Sequence, residues 1–501
     1  MEKPTVLLIG FYNTKALGLR YLDNALTRAG YAVKTLFFKD FNSLTPKKAT
    51  KEEIGLALRL AAELQPLFIG FSVMTSLYLE TVRQLAAELR ANSRVPLVFG
   101  GVYATMFPEE CLKFADYVIR GEGEAPVVEL ADALQSGADP SPIQNLAYRG
   151  AEGAVINPMR PLMENLDGYG VPKINAKDAY FIENGRQLCT DPQLSAMSYE
   201  LAASRGCPFA CTYCCSINLR RLSGGDVRFV RFRAVESVIE ELRAAKRAMK
   251  KLVVVHFWDE VFSSDERWVD EFARRYKAEI GLPFEIWGHP LRTDEGTIRK
   301  LRAAGLYKVV MGIQSGSPGI RREVFRRAEK QEDILKASQT LAKCGVPQVI
   351  YDFMLRHPFE TAETIRETFD LCMQLEPPFE LQLHGLNFLP GTDIVQMALD
   401  QGLVSEEEMQ KLMYAPMDEQ YALYWRNERN NPEIDFWYNC IYLTQFKAYK
   451  KLLPGLTAEG ATARNAAKVG ALLARAKRRE KLRYYGNKGT IVLRGTLKKR
   501  F

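Results

Sequence analysis

A regular alternation of short apolar segments and amphipathic segments constrains the fold of this chain more than any other feature. In residues 1–150 the apolar segments have the length of strands, and the segments between them carry apolar residues at helical spacing. Strands that alternate with helices in this way form parallel sheets with helices on both faces. The sequence therefore predicts an α/β fold that begins with a doubly wound, Rossmann-like domain. Its predicted strands are Val6–Gly10, Ala32–Phe37, Leu67–Ser72, Leu97–Gly101 and Tyr117–Arg120.

A second series of strands and helices occupies residues 196–400. Six parallel strands fit a partial (β/α)6 barrel, related to the TIM barrel, in which chemistry takes place at the carboxyl ends of the strands. The predicted strands are Tyr199–Ala203, Leu252–Phe257, Phe284–Gly288, Tyr307–Ile313, Gln348–Phe353 and Leu381–Phe388.

Two further regions complete the predicted organisation. Residues 151–195 contain several Pro and Gly and little periodicity, so they are expected to form a linker between the domains. Residues 401–501 are predicted to be mainly helical, with segments Glu406–Met413 and Phe436–Leu453 capping the barrel mouth. A chain of 501 residues is long enough for the two to three domains that this division requires.

The positive charge of the chain belongs to its C-terminal tail. The net charge is +8, but residues 461–501 hold thirteen Lys or Arg and one acid, Glu480. Without that tail, 55 basic residues stand against 59 acidic ones. Such a tail is compatible with peripheral contact with an anionic membrane or with RNA. A solvated face of a terminal helix is the simpler interpretation, so nucleic acid is not expected as a partner.

Composition and cysteine usage predict a cytoplasmic location. No apolar run approaches the roughly 18 residues that span a bilayer, and the N-terminus shows no signal-peptide pattern. The nine cysteines suit a reducing compartment better than a disulfide framework.

Three of these cysteines form a compact motif. Cys207, Cys211 and Cys214 have the spacing C-x3-C-x2-C in the loop after the first predicted barrel strand. Thiolates in such a run hold iron–sulfur clusters, and three of them would leave one iron open to a small molecule. A zinc site would normally need a fourth Cys or His, and the sequence has no second pair with zinc-binding spacing. Cys215 is adjacent, but it cannot easily turn toward the same metal as Cys214. An iron–sulfur cluster is therefore favoured over buried core thiols.

The segment Ser204–Cys214 closely resembles the cluster motif of the radical SAM superfamily. The resemblance implies a 4Fe–4S cluster whose open iron binds S-adenosylmethionine (SAM). It implies a 5′-deoxyadenosyl radical made when the reduced cluster cleaves SAM, and hence an electron donor such as flavodoxin or ferredoxin. Tyr213, before the third cysteine, would lie beside the adenine.

Other strand ends match this family in kind. Asp259 and Glu260 follow the second barrel strand, and by resemblance they contribute a carboxylate near the methionine amino group. Gln314 and Ser315 follow the fourth strand, where relatives hold the SAM ribose and carboxylate.

Two arginine positions are predicted to contact anionic groups. Arg327 is expected to pair with the SAM carboxylate, although a solvated helix face explains the Arg326-Arg327 pair equally well. Arg356 and His357 lie in a turn that departs from the family's G-x-P-G-E-T pattern after the fifth strand. They are assigned as catalytic, substrate-contacting residues that face the barrel mouth, with Arg356 suited to an acidic substrate group.

Three loops of the first domain resemble the cobalamin-binding domain that precedes many radical SAM cores. They follow predicted strands, at the edge where doubly wound sheets bind ligands. Glycines let the backbone approach a flat macrocycle, and Ser and Thr supply short polar contacts. A flavodoxin-like domain with ordinary turn glycines is the alternative. The residues assigned to cobalamin are Ser72, Val73, Met74, Thr75, Gly100, Gly101, Tyr103, Gly121 and Glu122.

The histidines limit how cobalt can be bound. The D-x-H-x-x-G motif of other cobalamin proteins is missing, and Tyr103 stands where relatives often have His. Bound cobalamin is therefore expected to lack a histidine ligand from this domain. All four histidines lie beyond residue 250. His256 is expected in the core, whereas His289 and His384, near strand ends, fit burial and substrate contact equally well.

These resemblances imply a cobalamin-binding radical SAM enzyme. The expected reaction is methyl transfer to an unactivated carbon or phosphorus of a small-molecule, lipid, tetrapyrrole or peptide substrate. Two alternatives stay open. One is a radical cyclase or carbon–carbon coupling enzyme that transfers no methyl group, and the other is a non-catalytic cobalamin or iron–sulfur sensor.

Overall fold

The structure is a computed structural model that describes residues 3–42, 45–174, 176–225, 227–262, 265–426 and 431–497. It contains a mostly parallel sheet and then a fully parallel sheet, followed by a helical C-terminal region. The predicted α/β fold is confirmed, and each predicted strand is present within a few residues of its expected bounds.

The first sheet has nine strands in the order β7-β6-β5-β4-β3-β1-β2-β8-β9. Its strands are β1 (Thr5–Phe11), β2 (Ala32–Phe38), β3 (Ile69–Ser72), β4 (Leu97–Gly100), β5 (Tyr117–Ile119), β6 (Leu146–Gly150), β7 (Gly153–Ile156), β8 (Ala179–Glu183) and β9 (Arg186–Leu188). Its helices are α1 (Leu17–Arg28), α2 (Lys51–Leu64), α3 (Leu79–Asn92), α4 (Val102–Met106), α5 (Pro108–Leu112) and α6 (Glu124–Ser136).

Strand β1 shows why this sheet is covered on both faces. Successive side chains of a strand point to opposite faces, so a run of apolar residues needs two apolar layers. Leu7 and Ile9 pack into one buried cluster, whereas Val6 and Leu8 pack into another on the opposite face. The strands β2, β1, β3, β4 and β5 pair in parallel. The carboxyl ends of these strands therefore meet at one edge of the sheet.

The predicted linker is wrong in part, because strands of the first sheet lie within residues 151–195. Strand β7 pairs antiparallel with β6 at one edge, and β8 joins the other edge by pairing in parallel with β2. Every residue of β7 is exposed, and β9 has only three residues. Edge strands of this kind are held by backbone hydrogen bonds, so they lack the apolar run on which the sequence prediction depended.

The second sheet has the order β10-β13-β14-β15-β16-β17, and all its neighbouring strands are parallel. This is the predicted six-stranded partial barrel. Its strands are β10 (Ser198–Leu201), β13 (Val254–Phe257), β14 (Phe284–Gly288), β15 (Leu306–Gln314), β16 (Gln348–Met354) and β17 (Glu380–His384), and a separate antiparallel ribbon consists of β11 (Ser204–Arg205) and β12 (Arg231–Phe232). The helices of this domain are α7 (Cys215–Leu222), α8 (Val235–Ala248), α9 (Glu266–Arg275), α10 (Glu295–Ala304), α11 (Gln331–Lys343), α12 (Ala362–Gln374) and α13 (Asp393–Asp400).

The C-terminal region covers parts of both domains. Helix α16 packs against α12 of the barrel, and α19 packs against α16. Tyr414 and Met417 pack into the apolar cluster of the first domain, so α14 and α15 connect the two domains. The helices are α14 (Glu406–Tyr414), α15 (Met417–Arg426), α16 (Pro432–Thr444), α17 (Lys447–Lys450), α18 (Leu453–Thr457) and α19 (Ala463–Leu497).

The basic tail forms α19, and its described side chains agree with a solvated face. Val469 and Ala476 of this helix are buried in the barrel core cluster. The Lys and Arg side chains between residues 463 and 480 are exposed. In the part of the chain that the structure describes, no helix has both the length and the apolar character needed to cross a bilayer.

Candidate active site

The loop of residues 206–214, called the cluster loop, carries the three motif cysteines between the β11–β12 ribbon and helix α7. Gly206 has a φ of +92°, and a Cβ atom there would lie 2.2 Å from the carbonyl oxygen of Phe229. Only glycine fits this position, because a side chain would collide with backbone that cannot move away. The ribbon therefore fixes where the loop starts.

The thiols of the cluster loop have the surroundings of cluster ligands. Cys207, Cys211 and Cys214 are each partly buried. The Sγ atom of Cys214 accepts a hydrogen bond from the backbone N–H of Ser216 at 3.5 Å, and the thiol of Cys207 accepts one from Phe209. Hydrogen bonds of this kind to the ligand sulfurs tune an iron–sulfur cluster.

The electrostatics of these thiols fit a positively charged group. Burial, together with the neighbouring thiols Cys211 and Cys214, raises the pKa of Cys207 to about 12. Three adjacent thiolates would repel one another unless cations lay between them, and bound iron supplies that charge. Among the described residues, no three Cys, His, Asp or Glu side chains are arranged around a single metal ion. The chemistry of the three thiols in one short loop, and not their present arrangement, is what fits an iron–sulfur cluster.

Asp259 and Glu260 have different roles although they are adjacent. Asp259 is 1% exposed, and it accepts hydrogen bonds from the Ser204 hydroxyl and from the backbone N–H of Ala203 at 3.1 Å. Burial raises the pKa of Asp259 to about 7 in spite of these bonds. Asp259 therefore supports the chain just before the cluster loop. Glu260 lines the cavity described below, and burial raises the pKa of its carboxyl group.

Tyr213 and Arg327 form one buried polar contact. The Arg327 guanidinium donates to the Tyr213 hydroxyl at 2.9 Å and to the Gly312 carbonyl oxygen at 2.7 Å, and it pairs with Glu329. Arg327 thus lies beside the cluster loop and is not part of a solvated helix face. Arg326 is the surface residue of the pair, and it forms an ion pair with Asp393 at 3.0 Å.

Gln314 and Ser315 lie behind the cluster loop, at the end of β15. Gln314 has a left-handed φ of +69°, and Ser315 is completely buried. The Ser315 carbonyl oxygen accepts a hydrogen bond from Arg321 at 2.7 Å. Neither residue lines the cavity described below, so their contact with SAM stays a prediction.

The histidines differ in their surroundings. His289 is buried, stacks on Phe209 of the cluster loop with 3.8 Å between ring centroids, and faces Glu329 at 3.6 Å. Burial lowers the pKa of His289 to about 3, helped by the positive charge of Arg327. His289 is therefore a neutral residue beneath the cluster loop. Its stacking on Phe209 has no signal in the sequence, because the two residues lie 80 positions apart.

His256 and His384 pair with carboxylates on neighbouring barrel strands. His256 lies 3.2 Å from Glu285. His384 is hydrogen-bonded through Nε2 to Asp352 at 2.9 Å. Burial alone would lower the pKa of His384, but the Asp352 contact outweighs it and the net shift is upward. Both rings are partly buried and satisfied, which agrees with the expectation for His256.

A cavity of about 430 Å³ lies between the two domains. Residues 72–75, 100–105 and 121–124, called the corrinoid loops, contribute one wall, together with the start of α1. The opposite wall includes Trp258 and Glu260 at the end of β13 and Arg205 and Gly206 at the start of the cluster loop. The corrinoid loops and the entrance of the cluster loop therefore face the same space, although Cys207, Cys211 and Cys214 are not among the residues that line it.

Glycines shape the first-domain wall of this cavity. Gly101 has a φ of +100°, and a Cβ atom there would lie 2.7 Å from the carbonyl oxygen of Val73. Gly121 has a φ of +69°, and its backbone N–H donates to the Thr105 hydroxyl at 2.9 Å. This glycine-rich wall, with backbone in place of side chains, fits the approach of a flat ring system.

Most residues assigned to cobalamin line the cavity, but three do not. Ser72, Met74, Gly100, Gly101, Gly121 and Glu122 are in its wall. Val73 is 1% exposed in the domain core, and Thr75 caps a short helical turn. Tyr103 is buried beside Phe107 and is hydrogen-bonded to Tyr414 of α14. The sequence misplaced Tyr103 because its partner lies more than 300 residues away.

The expected orientation of Arg356 and His357 toward the barrel mouth is corrected by the structure. The Arg356 guanidinium pairs with Asp435 of α16 at 2.7 Å and lies 3.8 Å from the ring centroid of Tyr438. His357 is completely buried and contacts Phe325 edge-on at 5.2 Å. Helix α16 covers this side of the barrel, so neither side chain reaches the cavity. The catalytic role assigned to them stays untested, and this geometry favours packing against α16 and Phe325 instead.

Comparison with known protein families agrees with this arrangement of parts. The model of the B12-binding domain matches residues 10–131, and the model of the radical SAM superfamily matches residues 201–372. The chain therefore contains a B12-binding domain followed by a radical SAM domain.

Curated relatives of this radical SAM protein include enzymes of two kinds. An uncharacterized methyltransferase of Pyrococcus horikoshii is 28% identical over 360 residues, which are 69% of this chain and 72% of the relative. The cytidylyl-2-hydroxyethylphosphonate methyltransferase of Streptomyces wedmorensis is 24% identical, over 79% of this chain and 80% of the relative. The anaerobic magnesium-protoporphyrin IX monomethyl ester cyclase of Rubrivivax gelatinosus is 24% identical, over 71% and 61%.

Solved structures share the fold of this radical SAM protein. The methyltransferase TsrM from Kitasatospora setae, with cobalamin and a 4Fe–4S cluster bound, has a TM-score of 0.64 at 19% identity over 79% of this chain and 75% of TsrM. The cobalamin-dependent enzyme OxsB, with aqua-cobalamin and SAM bound, has a TM-score of 0.66 at 13% identity over 97% of this chain and 81% of OxsB.

Proposed function

We propose that this radical SAM enzyme uses cobalamin to methylate an unactivated carbon or phosphorus of a small-molecule, lipid, tetrapyrrole or peptide substrate. One observation carries the proposal: the corrinoid loops and the start of the cluster loop line a single cavity. Two reactive groups held on opposite walls of one cavity can act on the same substrate atom. Because both groups are already close to the bound substrate, the substrate does not have to bind a second time for the second step. The relatives named as methyltransferases support this choice.

Particular residues would hold each cofactor. Cys207, Cys211 and Cys214 would hold the 4Fe–4S cluster, and the glycine-rich wall at Gly100, Gly101 and Gly121 would hold cobalamin. When bound, the cluster with SAM supplies a 5′-deoxyadenosyl radical, and cobalamin supplies a methyl group. The cluster then requires a reductant, and flavodoxin or ferredoxin is the class of donor proposed.

The walls of the cavity are mostly apolar, which suits radical chemistry once the cofactors and the substrate fill the space. Trp258 projects into the cavity with 46% of its surface exposed and packs against Trp287 at 5.6 Å between ring centroids. Phe71, Phe99 and Met74 add apolar surface from the first domain. An apolar enclosure limits side reactions of a reactive intermediate with solvent. Glu260, with its pKa raised by burial, holds a proton at its carboxyl group over a wider pH range than an exposed Glu.

A second candidate is a radical cyclase that keeps the B12-binding domain and transfers no methyl group. The observation that favours it is the match to relatives named as magnesium-protoporphyrin IX monomethyl ester cyclases, one of them, from Synechocystis, 31% identical over 206 residues. That match covers 40% of this chain and 37% of the relative. The two candidates differ in whether the product gains a methyl group.

The test is anaerobic incubation of the reconstituted protein with methyl-labelled SAM, a reductant and cell extract, followed by mass spectrometry. A product carrying the labelled methyl group supports the methyltransferase. A product that has lost hydrogen and carries no label supports the cyclase. SAM that stays intact, with the cluster fully assembled and reduced, contradicts both and leaves the sensor. The variant with Cys207, Cys211 and Cys214 all replaced by Ala is the control.

A further inference from the structure

Two arginines lie side by side at the entrance to the cluster loop. Arg205 and Arg231 are directly opposite each other in the antiparallel β11–β12 ribbon. Like charges at such a position repel and destabilise the pairing unless opposite charge lies between them. Arg231 is 7% exposed, so solvent does little to screen this repulsion.

The opposite charge comes from the other domain. Glu122 accepts hydrogen bonds from Arg205 at 3.1 Å and from Arg231 at 2.9 and 3.0 Å, so one carboxylate bridges both cations. Glu124 pairs with Arg205 as well. Burial acts to raise the pKa of Glu122, but the contacts with Arg231 and Arg205 outweigh it and the pKa is lowered. These four residues, Glu122, Glu124, Arg205 and Arg231, are called the Arg–Glu cluster.

Aromatic rings fix the position of Arg205 within the Arg–Glu cluster. Its guanidinium lies 4.8 Å from the ring centroid of Tyr21 and 4.7 Å from that of Tyr169. The Tyr169 hydroxyl donates to Glu122 at 2.9 Å. Arg205 is thereby held in one geometry by charge, hydrogen bonds and cation–π contacts together.

The Arg–Glu cluster connects the two walls of the cavity through short, direct contacts. On one side, Glu122 and Glu124 belong to a corrinoid loop and line the cavity. On the other side, only Gly206 separates Arg205 from Cys207, and Gly206 is pressed against Phe229. A displacement of the corrinoid loop at residues 121–124 should therefore also displace Cys207, the first cysteine of the cluster loop.

We propose that Arg205 is a positioning residue that couples occupancy of the corrinoid cavity to SAM binding at the cluster loop. The inference rests on the proposed function for the identity of the two ligands. Coupling through a rigid contact is reciprocal, so SAM must change cobalamin affinity by the factor by which cobalamin changes SAM affinity. Breaking the Arg–Glu cluster should remove this factor even where the variant also changes the affinity for one ligand alone, because these four residues line the cavity.

The experiment measures that factor in the anaerobically reconstituted full chain. Hydroxocobalamin is titrated by its absorbance with and without saturating SAM, and SAM binding is followed by the EPR spectrum of the reduced cluster. We expect SAM to tighten hydroxocobalamin binding by about ten-fold. In Arg205→Gln and in Glu122→Gln the ratio of the two affinities should fall to about one, with the iron content unchanged.

Arg228→Gln is the matched control. Arg228 lies in the same segment, three residues before Arg231, and it also pairs with a glutamate, Glu164. Both side chains of that pair are 68% exposed, so the pair contributes little to the stability of the protein. This variant should keep the wild-type ratio. A ratio of one in the wild-type protein, or an unchanged ratio in Arg205→Gln, would overturn the proposal.

Two further measurements keep the test decisive. If Arg205→Gln does not fold, Arg205→Lys keeps the charge and loses the bridging geometry, so it should lower the ratio by itself. If hydroxocobalamin does not bind to the wild-type protein, the proposed function fails, and hydrogen exchange then reports the coupling alone. Addition of SAM should slow exchange of residues 117–124 in the wild type and not in Glu122→Gln. Equal slowing in both would overturn the coupling.

Discussion

Two loops leave the carboxyl ends of barrel strands in this protein and meet different surroundings. The cluster loop follows β10 and the ribbon, and its entrance lines the cavity between the domains. The turn of residues 355–360 follows β16 and lies beneath helix α16. Both loops were expected to face the reaction space, because barrel enzymes carry their chemistry at this end of the strands.

The difference shows that a strand end offers a site only where nothing else covers it. Arg356 uses its charge to hold α16, through Asp435 and the ring of Tyr438. Arg205, also an arginine at the start of a loop, uses its charge to hold the corrinoid loop. The same residue type therefore holds a covering helix over one loop and connects the two domains at the other loop.

The largest effect that tests this comparison is expected at the cluster loop. Replacing Cys207, Cys211 and Cys214 together with Ala should abolish the visible absorbance of the cluster and all cleavage of SAM. The reason is that no thiolates remain to hold iron. The first domain should stay folded, and Cys215→Ala should change iron content little. Equal iron loading in the triple variant and the parent would disprove the cluster assignment.

The pH dependence of the free energy of unfolding tests whether Asp259 supports the chain just before the cluster loop. The pKa of Asp259 is about 7 in the folded protein, above the ordinary value for an aspartate. The folded state therefore keeps a proton that the unfolded chain has released, and the contribution to stability falls as pH rises toward 7, by about 1 kcal/mol per pH unit. Asp259→Asn should lack this slope. Urea unfolding of both proteins from pH 5 to pH 8 measures it, and parallel curves would contradict the assignment.

Substitution of Arg356 tests the side of the barrel that helix α16 covers. Arg356→Ala should lower the free energy of unfolding by about 2 kcal/mol, because it removes an ion pair and a cation–π contact with α16. The coupling energy with Asp435→Ala should be about 1 kcal/mol, since the Asp435 side chain is 41% exposed and partly screened. SAM cleavage and product formation should persist. Loss of product alone, with stability unchanged, would restore the substrate-binding role.

The smallest effect is expected at His357. His357→Phe keeps an aromatic ring between Phe325 and Phe359 but gives up the polar interactions of the buried imidazole, so the free energy of unfolding should fall by about 1 kcal/mol. Product formation should be retained, because the buried ring does not reach the cavity. Thermal unfolding and the labelled-product assay measure the two quantities. A variant that folds normally and cleaves SAM without forming product would show that His357 acts on the substrate after all.

The order of elements could be predicted from the sequence because it depends on local patterns. Strand β14 was predicted at its observed bounds, Phe284–Gly288, and the other predicted strands differ by a few residues. The cluster loop was also predictable, since its three cysteines and Gly206 lie within one short segment. Strands β7 and β9 were not, because edge strands carry no buried apolar run. Strand β8 was missed although Ala179 and Ile182 are buried, because it is a short strand within a segment rich in Pro and Gly.

Contacts between distant segments had no local signal. Tyr103 was assigned to cobalamin, yet its hydroxyl is hydrogen-bonded to Tyr414 in the helical region. His289 was a histidine near a strand end, yet it stacks beneath Phe209. In each case the residue type indicated a polar or aromatic contact. Which contact forms depends on a partner that lies far away in the sequence.

The sequence by itself determined the two βα series, the thiol ligands and the glycines of the corrinoid loops, because spacing and backbone freedom are properties of short segments. The tertiary structure decided that Glu122 and Glu124 meet Arg205 and Arg231, and that α16 covers Arg356. Those outcomes depend on how domain surfaces meet. The strength of an ion pair is set by the burial and distance of residues that lie far apart in the chain.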